Sequence, residues 1–206
     1  MMQPVRANFL PHPELAKRRP LLQDYLAELS RAITPANFLS ICGAHVSQIL
    51  QDTFQHVGAD EGSIWLLDNP KTHLIVAYNS GSDAETIVGF KQPLTRGIVS
   101  MVAATEQPVV ENQVFKNAEH SPNLDRITHK TTYAMMVVPF YILEHLHGVV
   151  SCVQLTSITS EDGRPVLVGN EPLGFERSDL DSLRKGVGVV SQLIDFRLFK
   201  QALGWV

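Results

Sequence analysis

Residues 133–155 read YAMMVVPFYILEHLHGVVSCVQL, and this stretch decides the fold. Two runs rich in aromatic and β-branched side chains, Tyr133 to Tyr141 and His147 to Leu155, flank Glu144-His145 at the tip of a hairpin. Val149, Val150 and Val153 suit a pleated, half-buried surface. Upstream the same period of two returns. Ser63 to Leu67 and His73 to Asn79 make a first hairpin across the turn Asp68-Asn69-Pro70, with Leu74, Val76 and Tyr78 facing one way. Thr86 to Gln92 reads as a third strand and Pro108 to Glu111 as a short one. Thr95-Arg96-Gly97 leads into a helix over Ile98 to Glu106, and Asn112 to Thr132 is a polar connection.

Helical spacing governs both ends. Met1 to Pro20, rich in proline and charge, reads as an extended arm. Leu22, Tyr25, Leu26 and Leu29 then share one helical face within Leu21 to Ile33. Thr34-Pro35 gives an N-cap followed by proline, a restart signal for a second helix carrying Phe38, Ile41, Cys42, Val46, Ile49 and Leu50. Thr156 to Gly174 is broken by glycine and proline into an irregular excursion. The last helix, Ser178 to Leu203, places Leu180, Leu183, Val187, Val190 and Ile194 at alternating spacings of three and four, and Gly186 and Gly188 would let another helix approach closely. Helices, then about six strands, then a long helix predict an α+β fold with helices packed on an antiparallel sheet. The chain divides into an arm and helix over 1–34 and a domain over 35–203.

Composition narrows the function. With 44% hydrophobic residues the chain can bury a core without staples, and a net charge of −4 leaves no footprint for nucleic acid. Lys17-Arg18-Arg19 is a solvated helix approach. Cys42 and Cys152 lie far apart with no C-x-x-C spacing, so they read as reduced, buried thiols. Met1 to Leu10 has no signal-like apolar run, and Ala134 to Leu143 is about half a membrane span. A cytoplasmic protein that contacts no membrane is the expectation. His145 and His147 could share a face, but no third metal ligand is marked by spacing. No G-x-S-x-G elbow or P-loop occurs, Gly186-Val187-Gly188 lies within a helix pattern, and no catalytic residue is singled out.

Several short stretches, in order, resemble the GAF domain family. They are Ile64-Trp65-Leu66-Leu67-Asp68 with Leu74-Ile75-Val76-Ala77, and Gly97-Ile98-Val99 running to Thr105-Glu106-Gln107-Pro108-Val109. Met135-Met136-Val137-Val138-Pro139, then Gly148-Val149-Val150 to Leu155, and finally Phe175 with Asp179 complete the series. The resemblance covers roughly Asn37 to Leu203. It implies a ligand pocket on the sheet face opposite the terminal helices, and a sensory rather than enzymatic role.

A narrower resemblance lies in residues 115–132, FKNAEHSPNLDRITHKTT. This segment is similar to the lid of the cyclic-nucleotide-binding GAF domains of phosphodiesterases and bacterial adenylate cyclases. Thr128 and Thr132 match that lid's two ligand-binding threonines, and Leu124-Asp125 matches its "V-D". The implied ligand is a cyclic nucleotide, cAMP or cGMP, with no other cofactor. Its implied site comprises Thr128, Thr132, Asp125, Arg126 and Tyr133, with free N–H groups at Gly97 and Ile98 for a phosphate. Trp65, Tyr78 and Phe115 would form an apolar wall for a base. Spaced by four, Thr128 and Thr132 would point the same way on a helical turn. The sequence also departs from that subgroup. Ser157-Ile158 stands where it has "N-K", His129 where it has glycine, and Leu180 where it has an acid. The lysine of its lid-closing salt bridge is therefore missing. No cysteine lies in residues 112–132, which argues against a covalent bilin and against a methionine-sulfoxide-reducing GAF enzyme.

Two functions follow as expectations. One is a small-molecule sensor that forms a homodimer through its first and last helices. The other is a ligand-free interaction module in which the helices serve as a dimerisation scaffold.

Overall fold

The computed structural model describes residues 13–156 and 172–205. Two helices come first, α1 (Pro13–Arg31) and α2 (Phe38–His56), followed by β1 (Glu61–Leu67) and β2 (His73–Asn79). Next are a single turn α3 (Ala84–Ile87), β3 (Lys91–Pro93), α4 (Ile98–Thr105), β4 (Val109–Glu111) and α5 (Asn123–Thr128). The long hairpin β5 (Thr131–Ile142) and β6 (His145–Thr156) precedes α6 (Arg177–Ala202). All six strands form one antiparallel sheet in the order β3-β2-β1-β6-β5-β4. The hairpin read from residues 133–155 is its centre, with Ile142 opposite His145.

One face of the sheet carries the helices. Phe38, Cys42, Val46, Leu50 and Phe54 recur every four residues along α2, and all are buried. Leu183, Val187, Val190, Ile194 and Leu198, spaced by three or four, are buried along α6 and meet Ile64, Met136, Val138 and Phe140 of the sheet in one cluster. Each such side chain contributes about 1.5–3 kcal/mol on leaving water. A Cβ at Gly186 would overlap the side chain of Thr53 on α2, so the glycine does mark a close helix approach. That approach lies within the protomer: the stripe read as a heptad seam packs on α2 and the sheet. At Gly43 (φ 68°) α2 kinks, and the Arg197 guanidinium of α6 donates to the freed Ile41 carbonyl at 2.7 Å.

Four local expectations need correction. The extended arm is helical from Pro13 onward. Pro20 sits inside α1, which Leu22, Leu26 and Leu29 hold on the core, so tertiary packing overrides the break. Thr34-Pro35 forms a turn in which the Asn37 side chain accepts from the Thr34 N–H at 2.7 Å, and α2 proper begins at Phe38. Of the strand expected over Thr86 to Gln92, residues 84–87 coil into α3 and only Lys91–Pro93 pairs with β2. Gly89 (φ 90°) makes the reversal between them. The polar connection over 112–132 is not featureless: it contains a 3₁₀ turn at Val114–Lys116, then α5, then the start of β5. The irregular excursion falls largely on 157–171, outside the described residues, as do Ser157 and Ile158.

Candidate ligand-binding site

The second face of the sheet is covered by α3, α4 and α5 instead of long helices. Trp65, Leu74, Val76, Val137 and Val149 pack there against Ile87, Ile98, Val99 and Val102. Toward one end of this face the packing opens into a cavity of about 80 Å³. Its floor is the sheet itself, with Ser63 and Trp65 of β1, Asn79 of β2, Thr132 and Met135 of β5, and Ser151, Val153 and Leu155 of β6. Ile87, Gln92, Gly97, Ile98 and Val99 form a wall, and residues 120–130 form the lid.

The floor is polar although it is buried. Trp65 donates its indole N–H to Ser151 Oγ at 3.0 Å, and Asn79 Nδ2 donates to Ser63 Oγ at 2.9 Å. Both serines thus accept, and neither hydroxyl proton has an acceptor among the described residues. Ser121 Oγ on the lid is shielded from solvent and has no partner at all among them. In an otherwise apolar layer such unused hydrogen-bonding capacity is costly unless something fills it.

Asp125 organises the lid. Its carboxylate accepts from the Thr132 amide at 3.1 Å, from the Thr132 hydroxyl at 2.8 Å and from His120 Nε2 at 3.1 Å. No residue of α5 is fully buried, so the lid rests on Leu124 and these polar bonds. Lys130 ties it down beside the mouth. The ammonium lies 2.7 Å from Glu61, 2.7 Å from Asp83 and 3.3 Å from Ser82 Oγ. Burial draws the Lys130 pKa down, but the hydrogen bonds that its ammonium donates to Asp83 and Glu61 outweigh it and hold the pKa above the usual lysine value. Glu61, Lys130 and Leu155 line both the cavity and a larger groove outside it, so this ion pair stands between them.

The structure gathers part of the expected site and disperses the rest. Trp65, Gly97, Ile98, Asp125, Thr128 and Thr132 all line the cavity. Gly97 takes φ 103°, a conformation open to glycine, and leaves the first N–H groups of α4 without a side-chain cap. Thr128 and Thr132 do not share a helical turn. His129 adopts a left-handed conformation (φ 55°) that ends α5, and Thr132 already belongs to β5. The Thr128 hydroxyl donates back to the Leu124 carbonyl at 3.0 Å.

Tyr78, Tyr133, Phe115 and Arg126 lie elsewhere. Tyr78 pairs with Ile64 and joins the helix-side core. A bulge between Thr132 and Ala134 turns Tyr133 to that same side, where it meets Phe115 with ring centroids 5.6 Å apart. Arg126 is exposed on the outer surface of α5. Sequence reasoning missed Glu61, Ser63, Asn79, Ser121, Lys130 and Ser151. The available signal was a polar residue at an inward position of a period-two strand, as at Ser151 between Val149 and Val153.

His147 hydrogen-bonds Ser30 Oγ of α1 at 2.7 Å, and the described residues contain no cluster of metal-ligating groups. Cys42 and Cys152 are buried and unpaired, and burial raises both thiol pKa values, that of Cys42 to about 12. No helix of the described residues is long and apolar enough to cross a membrane.

A six-stranded antiparallel sheet with long helices on one face and a lidded cavity on the other defines an α+β domain. The GAF domain model matches residues 45–184, more than half of the chain, and the chain belongs to the GAF family of regulatory sensor domains, which in some cases bind small molecules. Solved structures agree at the level of fold. The GAF domain of an Acinetobacter phosphoenolpyruvate-protein phosphotransferase superposes with a TM-score of 0.55 at 15% identity, covering 92% of this chain and 98% of that one. The PixJ GAF domain of Thermosynechococcus elongatus, in its blue-light absorbing form, gives 0.55 at 13% identity, covering 89% and 92%. The GAF-B domain of DevS from Mycobacterium smegmatis gives 0.53 at 10%, covering 76% and 94%. No curated protein matches the chain by sequence.

Proposed function

We propose that this chain is a small-molecule-sensing regulatory domain, with no enzymatic activity of its own, whose ligand occupies the cavity between the sheet and the α5 lid. The observation that carries this reading is the polar floor. Ser63, Asn79, Thr132 and Ser151 stand at buried, inward-facing positions of four adjacent strands, where packing alone would select apolar residues.

The ligand is small. On a scale where a water needs roughly 10–15 Å³, the cavity, which is open at its mouth, holds a handful of water-sized groups, short of the roughly 300–1,000 Å³ of drug-sized sites. A cyclic nucleotide, which the threonine segment's resemblance implies, requires the lid to withdraw. Its phosphate would also meet two carboxylates, Glu61 and Asp125, against one ammonium, Lys130. Because the lid is held mainly by polar bonds, its opening is the natural step that couples occupancy to the rest of the molecule.

The test is thermal stability against a metabolite panel that includes cAMP and cGMP, run on the wild type and on Val153→Phe. Phenylalanine at this position fills the cavity without removing a hydrogen bond. A ligand that raises the wild-type midpoint by several degrees and leaves Val153→Phe unmoved supports the reading. A panel that moves neither protein favours the ligand-free scaffold.

One observation favours that second reading. Val189 and Phe196 of α6 and Leu203 at its C-terminal end, spaced by seven, are exposed together with Phe199, and Phe196 is 58% exposed. This outer stripe suits a homodimer through the terminal helices, and a monomer by light scattering at high concentration would dismiss it.

A further inference from the structure

We infer that the ligand is a small free amino acid, recognised as a zwitterion between the sheet floor and the lid. This rests on the cavity being the ligand site and specifies which chemical class fits it. Three observations converge.

The floor asks for acceptors. Ser63 and Ser151 receive hydrogen bonds from Asn79 and Trp65, which orients each oxygen and leaves each proton free to donate inward. Ser121 Oγ, partnerless on the lid, lies beside the Gly97 wall: a Cβ built on Gly97 would stand 3.6 Å from Ser121 Cβ. A compact carboxylate supplies acceptor oxygens to such a set of hydroxyl donors.

The lid asks for a cation. Asp125 faces the cavity, and among the described residues no lysine or arginine pairs with it. Its bonds from Thr132 and His120 fix the carboxylate in place. Among the lining side chains, Glu61 and Asp125 against Lys130 leave one negative charge in excess, His120 aside. A ligand with an ammonium group answers that charge, whereas a simple carboxylate adds to it.

Size closes the choice. A cavity of about 80 Å³, open at its mouth, suits an ammonium, a carboxylate and a short side chain. The apolar part of the lining, Ile87, Leu124, Met135 and Val153, suits a short aliphatic group.

Isothermal titration of the full chain with glycine, L-alanine, L-serine and L-valine tests the inference. Each amino acid is compared with its deaminated analogue (propionate for alanine) and its decarboxylated analogue (ethylamine). The expected result is binding of at least one amino acid, with a loss of tenfold or more for either analogue. Asp125→Asn should weaken the amino acid at least tenfold while leaving binding of the carboxylate analogue unchanged or better. This selective change would not follow from a lid that merely misfolds. Propionate or ethylamine binding as tightly as alanine overturns the zwitterion. If instead cAMP, cGMP or another non-amino-acid binds the wild type and not Val153→Phe, the amino-acid class fails while the cavity stands as the sensor site. If no compound binds, both fail together.

Discussion

The two faces of one sheet differ in what they ask of the same strands. On the helix face, Phe38, Phe54, Met136, Phe140, Leu183 and Ile194 are sealed from water in one large hydrophobic core. On the other face the inward side chains of β1, β2, β5 and β6 include Ser63, Asn79, Thr132 and Ser151 beside apolar neighbours such as Trp65 and Val149, under a lid with no fully buried residue. Both faces obey the alternation of a β-strand. The first uses it to build stability, and the second gives up part of that stability for a shaped, hydrogen-bonding surface. A sensor needs this division, because the part that responds must open at lower cost than the part that holds the fold.

The contrast can be broken from the stable side first. Phe140→Ala removes a fully buried ring that stacks edge-on to Phe38 at 6.1 Å. The expected loss is about 3–5 kcal/mol in chemical denaturation. A loss under 1 kcal/mol would mean that the helix face is not the stability core.

Next comes the partition at the cavity mouth. Lys130→Met strips the counter-charge from Glu61, which is only 7% exposed. Denaturation should show a loss of about 1.5–3 kcal/mol. Stopped-flow kinetics should show faster ligand association if the pair limits access. Equal stability and unchanged rates would remove Lys130 from the gate.

A third test sits where α1 meets β6. Burial, helped by nearby His145 and Lys71, depresses the His147 pKa to about 4 from its usual 6.5. The unfolded chain therefore binds a proton at a pH where the folded chain refuses it. This contribution is complete above pH 6.5 and is lost as pH falls from 6.5 to 4. After allowance for solvent screening it amounts to about 2 kcal/mol. His147→Gln should flatten that part of the stability–pH curve, and an unaltered slope would place His147 in solvent.

The smallest effects separate the two threonines. Thr132→Val removes the side-chain bond to Asp125, for about 1 kcal/mol, and should loosen the lid in hydrogen exchange over 120–130. Thr128→Val, whose hydroxyl only folds back on its own helix, should stay within about 0.5 kcal/mol. Equal effects would restore the symmetric role that their spacing suggests.

Strand positions and helix stripes were legible because each follows from a local period. His73 to Asn79 is read residue for residue, and Ile98 to Thr105 within one position. The errors arose where a neighbour overrode a local signal. Pro20 looks like a break until Leu22 and Leu26 hold α1 on the core, and Thr86 to Gln92 looks extended until Gly89 reverses it.

The site was legible only in part. Trp65, Gly97, Asp125 and Thr132 reach the cavity as expected, but Tyr78 and Tyr133 do not. Bulges at Ile64/Trp65 and at Thr132/Ala134 shift the register by one residue, and one residue is enough to exchange the faces of a strand. No pattern in the sequence marks such a bulge. Lys130 is similarly invisible: its partners Glu61 and Asp83 lie 69 and 47 positions away, and only the folded chain brings the three together. The sequence by itself determined the order of elements and the apolar face, since these depend on periods of two and 3.6 along the chain, while the family resemblance rested on short motifs in order, such as Gly97-Ile98-Val99 and Val138-Pro139. Only the tertiary structure decided which side chains meet in the cavity, because contact across strands depends on register rather than on spacing.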